Sequence, residues 1–383
     1  LGALAGLPDD LLLQQLFRRL PAAAVTRLER VSKAFYALAR HDEDWKDRVL
    51  TEFGGEFQYT HSWRATYAQC VLARQGAATD ETKYAEPVQA RWMYSDALFQ
   101  PWHYAAVDLA AFVGADAPET VDRRHGLTVE AFLREYERPN RPVVLADGAR
   151  HWPAMQAWTR DALLDHYGDV RFRAERVDIR LKDYWRYAER QCDESPLYLF
   201  DRGFTERCPK MRDEFEVPPY FREDLFSLLG AEARPDYRWL IVGPARSGST
   251  FHKDPNATSA WNAIVSGAKK WILFPPETLP PGVFANEDES EVTAPVSVME
   301  WFHHYYGAAR RMAQPPLECV CRAGEVMFVP RGWWHCVINL EYTVAVTQNY
   351  VSRSNLREVL QFVREHPEQI SGLRGVVDEE CGV

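Results

Sequence analysis

Two histidines and one aspartate in the second half of the chain constrain its fold more than any other feature. His252 and Asp254 stand two positions apart, and His335 follows far along the chain. On an extended strand, residues i and i+2 project to the same face, so His252 and Asp254 can act together. Two imidazoles and one carboxylate can bind one face of an iron(II) ion and leave the opposite face open. The third ligand must then come from another strand, as a barrel-like β fold would allow.

The residues around this triad matter because, taken alone, His252 and Asp254 could equally be solvated residues of a loop. The first run, Gly248–Pro276, reads GSTFHKDPNATSAWNAIVSGAKKWILFPP, and the second, Gly324–Leu340, reads GEVMFVPRGWWHCVINL. Together they closely resemble the JmjC family of iron(II)- and 2-oxoglutarate-dependent oxygenases. Within that family they are most similar to the protein-lysyl hydroxylase branch, to which arginine demethylation is also attributed. The resemblance extends over about residues 90–353.

The resemblance implies an α+β fold: a small N-terminal helical domain, then a double-stranded β-helix (a cupin or jelly-roll-like barrel) with flanking helices. Short β segments punctuated by Gly and Pro indicate the same arrangement. Strands are predicted at residues 142–146, 197–200, 237–242, 251–254, 271–274, 325–329 and 344–350. A further strand beginning near Trp261 is expected to carry Lys269. Helices are predicted over Thr128–Tyr136 and Asn355–His366.

Residues 1–45 indicate short helices. Pro8 and the two acidic residues after it suit a helix start, and Pro21 should end that helix. From Leu7 to Trp45 the pattern LPDDLLLQQLFRRLP…LERVSKAFYALARHDEDW resembles an F-box, the helical module that docks the Skp-type adaptor of a ubiquitin ligase. A helical bundle that only supports the second domain is the alternative. A genuine F-box should leave some apolar positions exposed until the adaptor covers them. The predicted apolar stripe is Leu28, Val31, Phe35 and Leu38.

These patterns divide the chain into four segments. Residues 1–75 form the F-box and its helical extension, and residues 76–105 form a polar linker. Residues 106–353 form the JmjC double-stranded β-helix domain, and residues 354–383 form a C-terminal helix and an acidic tail. In the resembling family such C-terminal helices mediate dimerisation, so a homodimer is among the expected partners.

The charge and apolar content of the sequence argue against nucleic acid and membranes as partners. The net charge of −10 argues against direct, sequence-blind binding to nucleic acid, which needs clustered Lys and Arg. No apolar run reaches the length of a membrane span.

Seven scattered cysteines do not suit a disulfide scaffold, although Cys319 and Cys321 near His303 and His304 leave a zinc site as an alternative. We therefore expect a nuclear or cytoplasmic protein, with the nucleus favoured. The sequence begins at Leu1 rather than at Met, so it does not exclude a targeting segment ahead of this residue.

The resemblance implies which residues hold the co-substrate. The far carboxylate of 2-oxoglutarate needs a fixed cation, and the matching lysine is Lys269, although taken alone it could be a solvated lysine beside Lys270. Tyr198 matches a tyrosine that bonds the same carboxylate. Asn262 matches an amide near the C1 carboxylate, and Thr347 matches a hydroxyl next to the lysine. Further cofactor candidates are Ser249 and Asn349.

Two positions depart from the family pattern. Ser249 stands where the family has a threonine, so the hydroxyl is kept and a methyl is lost. Lys253, between the first two ligands, replaces an apolar residue. On a strand it should point away from the metal, and it could place a positive charge at the substrate mouth.

Three functions follow from this reading. The first is an iron(II)-, 2-oxoglutarate- and dioxygen-dependent hydroxylase that acts on lysyl side chains of a protein or peptide. The second is an N-methyl lysine or arginine demethylase, which would hydroxylate the methyl carbon. The third is a non-catalytic F-box substrate receptor, against which the intact triad argues because pure binding needs no such set of ligands.

Overall fold

The computed structural model describes residues 4, 6–77, 93–113 and 119–373. It divides into two compact units. The first comprises Leu1–Val107 and Arg176–Pro196, and the second comprises Asp108–Glu175 and Leu197–Val383.

The helices are short and spread over both units. They are α1 Asp9–Leu11, α2 Ala22–Leu28, α3 Lys33–Leu38, α4 Asp42–Glu52, α5 Trp63–Arg74, α6 Asp96–Ala106, α7 Ala110–Val113, α8 Val129–Phe132, α9 Ala154–Ala157, α10 Arg160–Tyr167, α11 Leu181–Arg190, α12 Phe204–Arg207, α13 Pro209–Arg212, α14 Gly230–Ala233, α15 Val298–His304, α16 Tyr306–Ala309 and α17 Leu356–Glu365. Turns of π-helix continue α1 over Leu12–Phe17 and α8 over Leu133–Glu137. Short 3₁₀ turns cover Pro219–Phe221, Leu225–Leu229, Pro255–Ala257 and Pro367–Gln369.

The strands lie mostly in the second unit. They are β1 Asp122–Arg124, β2 Val143–Leu145, β3 Arg171–Ala174, β4 Val177–Arg180, β5 Leu199–Asp201, β6 Arg238–Gly243, β7 Gly248–His252, β8 Ser259–Ser266, β9 Ala268–Phe274, β10 Phe284–Ala285, β11 Val292–Thr293, β12 Leu317–Arg322, β13 Val326–Val329, β14 Trp334–Asn339 and β15 Thr343–Tyr350. In the described part of the chain, no helix is long and apolar enough to cross a bilayer.

The first unit is helical, as expected, and a buried carboxylate joins its helices. Asp193 accepts hydrogen bonds from the indole of Trp63 (2.9 Å) on α5 and the hydroxyl of Tyr187 (2.6 Å) on α11. The Lys46 ammonium on α4 lies 3.2 Å from the same carboxylate. Because this charge is buried and paired, it fixes the mutual position of three elements.

Two expectations for this unit were wrong in detail. Val31 does not lie on the buried stripe: it is 63% exposed because the chain turns between α2 and α3. The predicted linker is not structureless at its C-terminal end, since α6 covers Asp96–Ala106 and Ser95 caps it by accepting a bond from the Leu98 amide. The composition of the segment hid this helix, because Pro101 lies inside it. Residues 78–92 of the predicted linker lie outside the described residues.

The second unit contains two large sheets that face each other and the small β10–β11 pair. The larger one runs in the order β1-β2-β13-β8-β15-β6-β5-β3, and the smaller one runs β12-β9-β14-β7. Pairing is antiparallel except between β1 and β2. An apolar core draws on both sheets, with Ile264, Met327 and Ala345 from the larger and Trp271 and Val337 from the smaller. This arrangement confirms the predicted barrel-like α+β fold.

Two local predictions about site-bearing strands were wrong. The strand predicted at 251–254 ends at His252, so Asp254 lies just beyond it in extended backbone that leads into Pro255. Lys269 is not on the strand that contains Trp261. Gly267, with φ of 83°, turns the chain, and Lys269 belongs to β9 in the opposite sheet. A Cβ on Gly267 would stand 2.2 Å from the Tyr342 carbonyl oxygen, so the turn requires glycine.

Candidate active site

The three predicted metal ligands meet at the end of the smaller sheet. His335 on β14 lies directly opposite His252 on β7, and their ring centroids are 4.2 Å apart. The carboxylate of Asp254 completes the group, with potential ligand atoms of all three side chains within 4.8 Å of one another. In the described part of the chain, these are the residues that form such a cluster of three. Cys319 and Cys321, by contrast, are buried in the core and form no zinc site with His303 and His304.

Backbone carbonyls fix the tautomers of both histidines. Nδ1 of His252 lies 2.7 Å from the Thr250 carbonyl oxygen, and Nδ1 of His335 lies 3.0 Å from that of Trp333. A carbonyl oxygen can only accept, so Nδ1 carries the proton in each ring and Nε2 keeps a free lone pair. Burial also lowers the pKa of His335 to about 3, which keeps its ring neutral. Neutral rings of this kind are ready to bind a metal.

The carboxylate of Asp254 is only half satisfied. Its Oδ1 accepts a long hydrogen bond of 3.3 Å from the Asn349 amide, while buried Oδ2 has no partner among the described residues. Burial raises the pKa of Asp254, and neighbouring His252 opposes this shift. A divalent cation between Oδ2 and the two free Nε2 atoms would satisfy all three groups, so the donor set fits a metal of the iron(II) type.

A buried lysine lies deeper between the sheets. Lys269 is 1% exposed, and its Nζ donates to the Tyr198 hydroxyl (2.6 Å) and to Oδ1 of Asn339 (2.7 Å). In the part of the chain that the structure describes, it makes no ion pair. Burial therefore lowers its pKa to about 7. A buried cation that has hydrogen bonds but no counter-charge is prepared for an anionic ligand.

The next residue shows the contrast. Lys270 points to the opposite face of β9, where its Nζ lies 2.6 Å from Oε2 of Glu318. The Tyr306 hydroxyl donates to the same oxygen at 2.7 Å. Of two adjacent buried lysines, Lys270 is paired with a carboxylate, and Lys269 is held by the Tyr198 hydroxyl and the Asn339 amide.

The matches to known proteins agree with this geometry. A family model described as a cupin-like domain matches residues 129–194 and 178–355. Arginine-specific demethylase JMJ22 of Arabidopsis thaliana is 45% identical over 381 residues, which cover 99% of this chain and 74% of JMJ22. The chain belongs to the JmjC group of the cupin-like domain family.

Other JmjC relatives match a shorter region. The bifunctional arginine demethylase and lysyl-hydroxylase psr-1 of Caenorhabditis elegans is 40% identical over 256 residues, covering 64% of each chain. The human 2-oxoglutarate and iron-dependent oxygenase JMJD4 is 31% identical over 270 residues, covering 61% of each chain. The aligned part thus spans less than two thirds of these two relatives.

The remaining predicted residues of the JmjC site line the same cavity, which has a volume of about 70 Å³. Asn262 and Thr347 face each other across the β8–β15 pair, and buried Oδ1 of Asn262 has no partner among the described residues. The Thr347 hydroxyl donates to the Trp261 carbonyl oxygen (2.9 Å). The full set of predicted residues that line the cavity is Tyr198, Ser249, His252, Asp254, Asn262, His335, Thr347 and Asn349.

The sequence reasoning missed a polar chain behind the lysine. Asn339 lies opposite Lys269 in register, and its Nδ2 donates to the Ser247 hydroxyl (2.9 Å), which donates to the Pro244 carbonyl oxygen (2.6 Å). Its buried amide therefore fixes the direction of the Lys269 side chain. A signal was present, since Asn339 is a polar residue at i+4 from His335 on the same face of β14.

Proposed function

We propose that this chain is an iron(II)- and 2-oxoglutarate-dependent oxygenase that hydroxylates a side chain of a protein substrate. One observation carries the proposal: two free imidazole nitrogens and a half-satisfied carboxylate converge in a cavity whose Tyr198 binds a buried lysine that makes no ion pair among the described residues. A metal ion would satisfy the two imidazoles and the carboxylate, and a dicarboxylate would supply the counter-charge for the lysine. The names of the JmjC relatives, which include an iron-dependent oxygenase and a lysyl-hydroxylase, support it.

The proposed metal ligands are Nε2 of His252, Nε2 of His335 and Oδ2 of Asp254. Such a facial set leaves open positions for a co-substrate and dioxygen. When bound, iron and 2-oxoglutarate supply the oxidising power that inserts an oxygen atom into a C–H bond. The carbonyl oxygens of Thr250 and Trp333 keep both rings in the ligating tautomer.

The proposed anchor for 2-oxoglutarate is Lys269. Its ammonium group would pair with the far carboxylate, and the Tyr198 hydroxyl, 2.6 Å from Nζ, would donate to the same group. The free Oδ1 of Asn262 marks the polar wall between this anchor and the metal. The side chains of Ile241, Trp271 and Val329 line the remaining wall and exclude water from the reacting centre. Binding and orientation of the co-substrate are thus the work of this chain's own residues.

Lysyl hydroxylation is the proposed reaction, and N-methyl arginine or lysine demethylation is the second candidate. Both oxidise a C–H bond, and they differ in which carbon reaches the metal. The names of JMJ22 and psr-1, both arginine demethylases, support the demethylase alternative.

Turnover of 2-oxoglutarate to succinate with iron(II), for wild type and His252→Ala, tests the oxygenase proposal. We expect stimulation by lysine-rich peptides, lost in the variant, and a peptide product that is heavier by one oxygen atom. A methylated peptide that loses a methyl group would instead assign demethylation. If neither iron(II) binding nor turnover is detected, the non-catalytic receptor alternative replaces the proposal.

We also propose that the first unit docks a Skp-type adaptor and that the protein acts in the nucleus. Partly exposed apolar side chains at the head of the unit support docking, namely Leu7 (44%), Leu11 (45%) and Leu16 (36%). Co-purification of recombinant adaptor with wild type, and its loss with Leu11→Asp, tests the docking. Fluorescence imaging of the tagged protein tests the location.

A further inference from the structure

The pairing between strands β7 and β14, which carry His252 and His335, is irregular close to these two residues. Among the described strands, β7 lies at the edge of its sheet and pairs with β14 alone. The register between these strands shifts between His335 and Val337, and β7 ends at His252. Asp254 therefore lies beyond the last ladder hydrogen bonds, and its side chain receives the 3.3 Å bond from Asn349. Other contacts must hold this end of the chain.

Lys253 supplies such contacts. Its Nζ lies 2.5 Å from Oε2 of Glu289 and donates to the Pro276 carbonyl oxygen at 3.2 Å. The same ammonium group lies 4.7 Å from the ring centroid of Trp334. Since Lys253 stands between two ligands and Trp334 precedes the third, one cation connects the backbone segments that carry all three.

Glu289 belongs to an ordered turn. Residues 286–291 join β10 to β11, and within this turn Asn286 bonds the Ser290 hydroxyl and the Glu291 amide. Glu289 adopts φ of 56°, which is uncommon for a non-glycine residue and is maintained by its surroundings. Gln369 adds a 3.3 Å bond to the Asp288 carbonyl oxygen. The counter-charge of Lys253 is thus itself held in place.

We propose that Lys253 is a positioning residue for the metal centre, whose ammonium group ties the end of β7 to Trp334 and Glu289 and so keeps His252 and Asp254 aligned with His335. This inference rests on the metal site of the proposed function. The inference also gives a role to Lys253 as a departure from the family pattern, in which this position is apolar.

Electrostatics and positioning make opposite predictions here. If Lys253 acted only as a nearby positive charge, its removal would strengthen binding of a divalent cation. If it positions the ligands, its removal weakens binding, because losing a group that supports metal ligands typically costs about 10- to 100-fold in affinity. The sign of the change therefore distinguishes the two roles.

The experiment measures Mn(II) binding by electron paramagnetic resonance of the free ion, with Fe(II) competition under anaerobic conditions. Lys253→Met keeps the aliphatic chain and removes the charge, and we expect it to bind Mn(II) about 10-fold more weakly. Glu289→Gln should weaken binding to a smaller degree because the contact with Trp334 remains. Lys253→Arg, which keeps a cation able to stack on Trp334 and pair with Glu289, should bind close to wild type.

Lys210→Met is the matched control, since it removes an exposed lysine on α13 that pairs with Glu214 (3.7 Å), and it should leave the affinity unchanged. Hydrogen exchange of residues 277–296 should rise in Lys253→Met and Glu289→Gln but not in the control. Wild-type or tighter Mn(II) binding by folded Lys253→Met overturns the inference. Should Lys253→Met fail to fold, wild-type affinity in Glu289→Gln overturns it. Failure of wild type itself to bind Mn(II) or Fe(II) would overturn the proposed function instead.

Discussion

Replacing Lys269 with methionine should make the ligand-free protein more stable and the enzyme inactive. The ammonium group is buried without an ion pair in the described part of the chain, so the fold carries a charge that serves a ligand. Methionine has a similar length and no charge. The substitution therefore removes the desolvation cost together with the anchor for 2-oxoglutarate.

The magnitude follows from the pKa of the lysine. Burial lowers this pKa from 10.5 to about 7. At or below neutral pH, the buried charge therefore lowers the free energy of unfolding by at most about 5 kcal/mol. Part of this is offset because Tyr198 and Asn339 each lose a donor, at about 1–3 kcal/mol for a group left unsatisfied. We expect a net gain of about 2 kcal/mol, or roughly 4–8 °C in Tm for a unit of this size.

The pH dependence has a defined sign. Between pH 7 and 10.5 the unfolded chain holds a proton on Lys269 that the folded chain has released, so wild-type stability should rise with pH in this window. Lys269→Met should lack this contribution. A bound dicarboxylate should also abolish it, because the counter-charge keeps the lysine protonated in the folded state.

Thermal unfolding at several pH values, with and without 2-oxoglutarate and Mn(II), measures these effects, and calorimetry measures co-substrate binding. Losing one partner of a buried charge pair costs about 2–5 kcal/mol, so affinity for 2-oxoglutarate should fall at least about 30-fold. Lys270→Met is the matched control: it leaves Glu318 buried without its cation and should cost about 3–5 kcal/mol. A loss of ligand-free stability in Lys269→Met, with an unchanged pH slope, would refute the reasoning.

Three further predictions address other parts of the structure. Asn339→Asp should give Lys269 an internal counter-charge and weaken 2-oxoglutarate binding by about 10-fold or more, measured by calorimetry; unchanged affinity would argue against Lys269 as the anchor. Gly248→Ala should place a Cβ 2.0 Å from the Val337 carbonyl oxygen, lowering stability by about 1–3 kcal/mol in denaturant titrations. Asp193→Ala should destabilise the first unit by about 3–5 kcal/mol, since it leaves the Lys46 ammonium buried without this partner; a chain with wild-type unfolding would contradict the proposed role of this carboxylate.

The sequence alone predicted the parts of the site that depend on local geometry. The spacing of His252 and Asp254 fixes a common side because alternation along extended backbone is a property of neighbouring residues. The JmjC resemblance then added Lys269. The structure brings His252, Asp254 and His335 together, and it places the Lys269 ammonium against Tyr198, which lines the same cavity. The two-sheet fold also followed from short apolar segments separated by turn residues.

Tertiary structure decided what lies beside these residues. Nothing in the local pattern shows that Asn339 directs Lys269, that Glu289 holds Lys253, or that Lys270 rather than Lys269 meets a carboxylate. These contacts join residues far apart in sequence, and strand register and loop closure bring them together. Local sequence sets which way a side chain points, whereas the packing of the two sheets sets what it meets. The charge of Lys269, which has no ion pair among the described residues, is buried only once both sheets have closed around it.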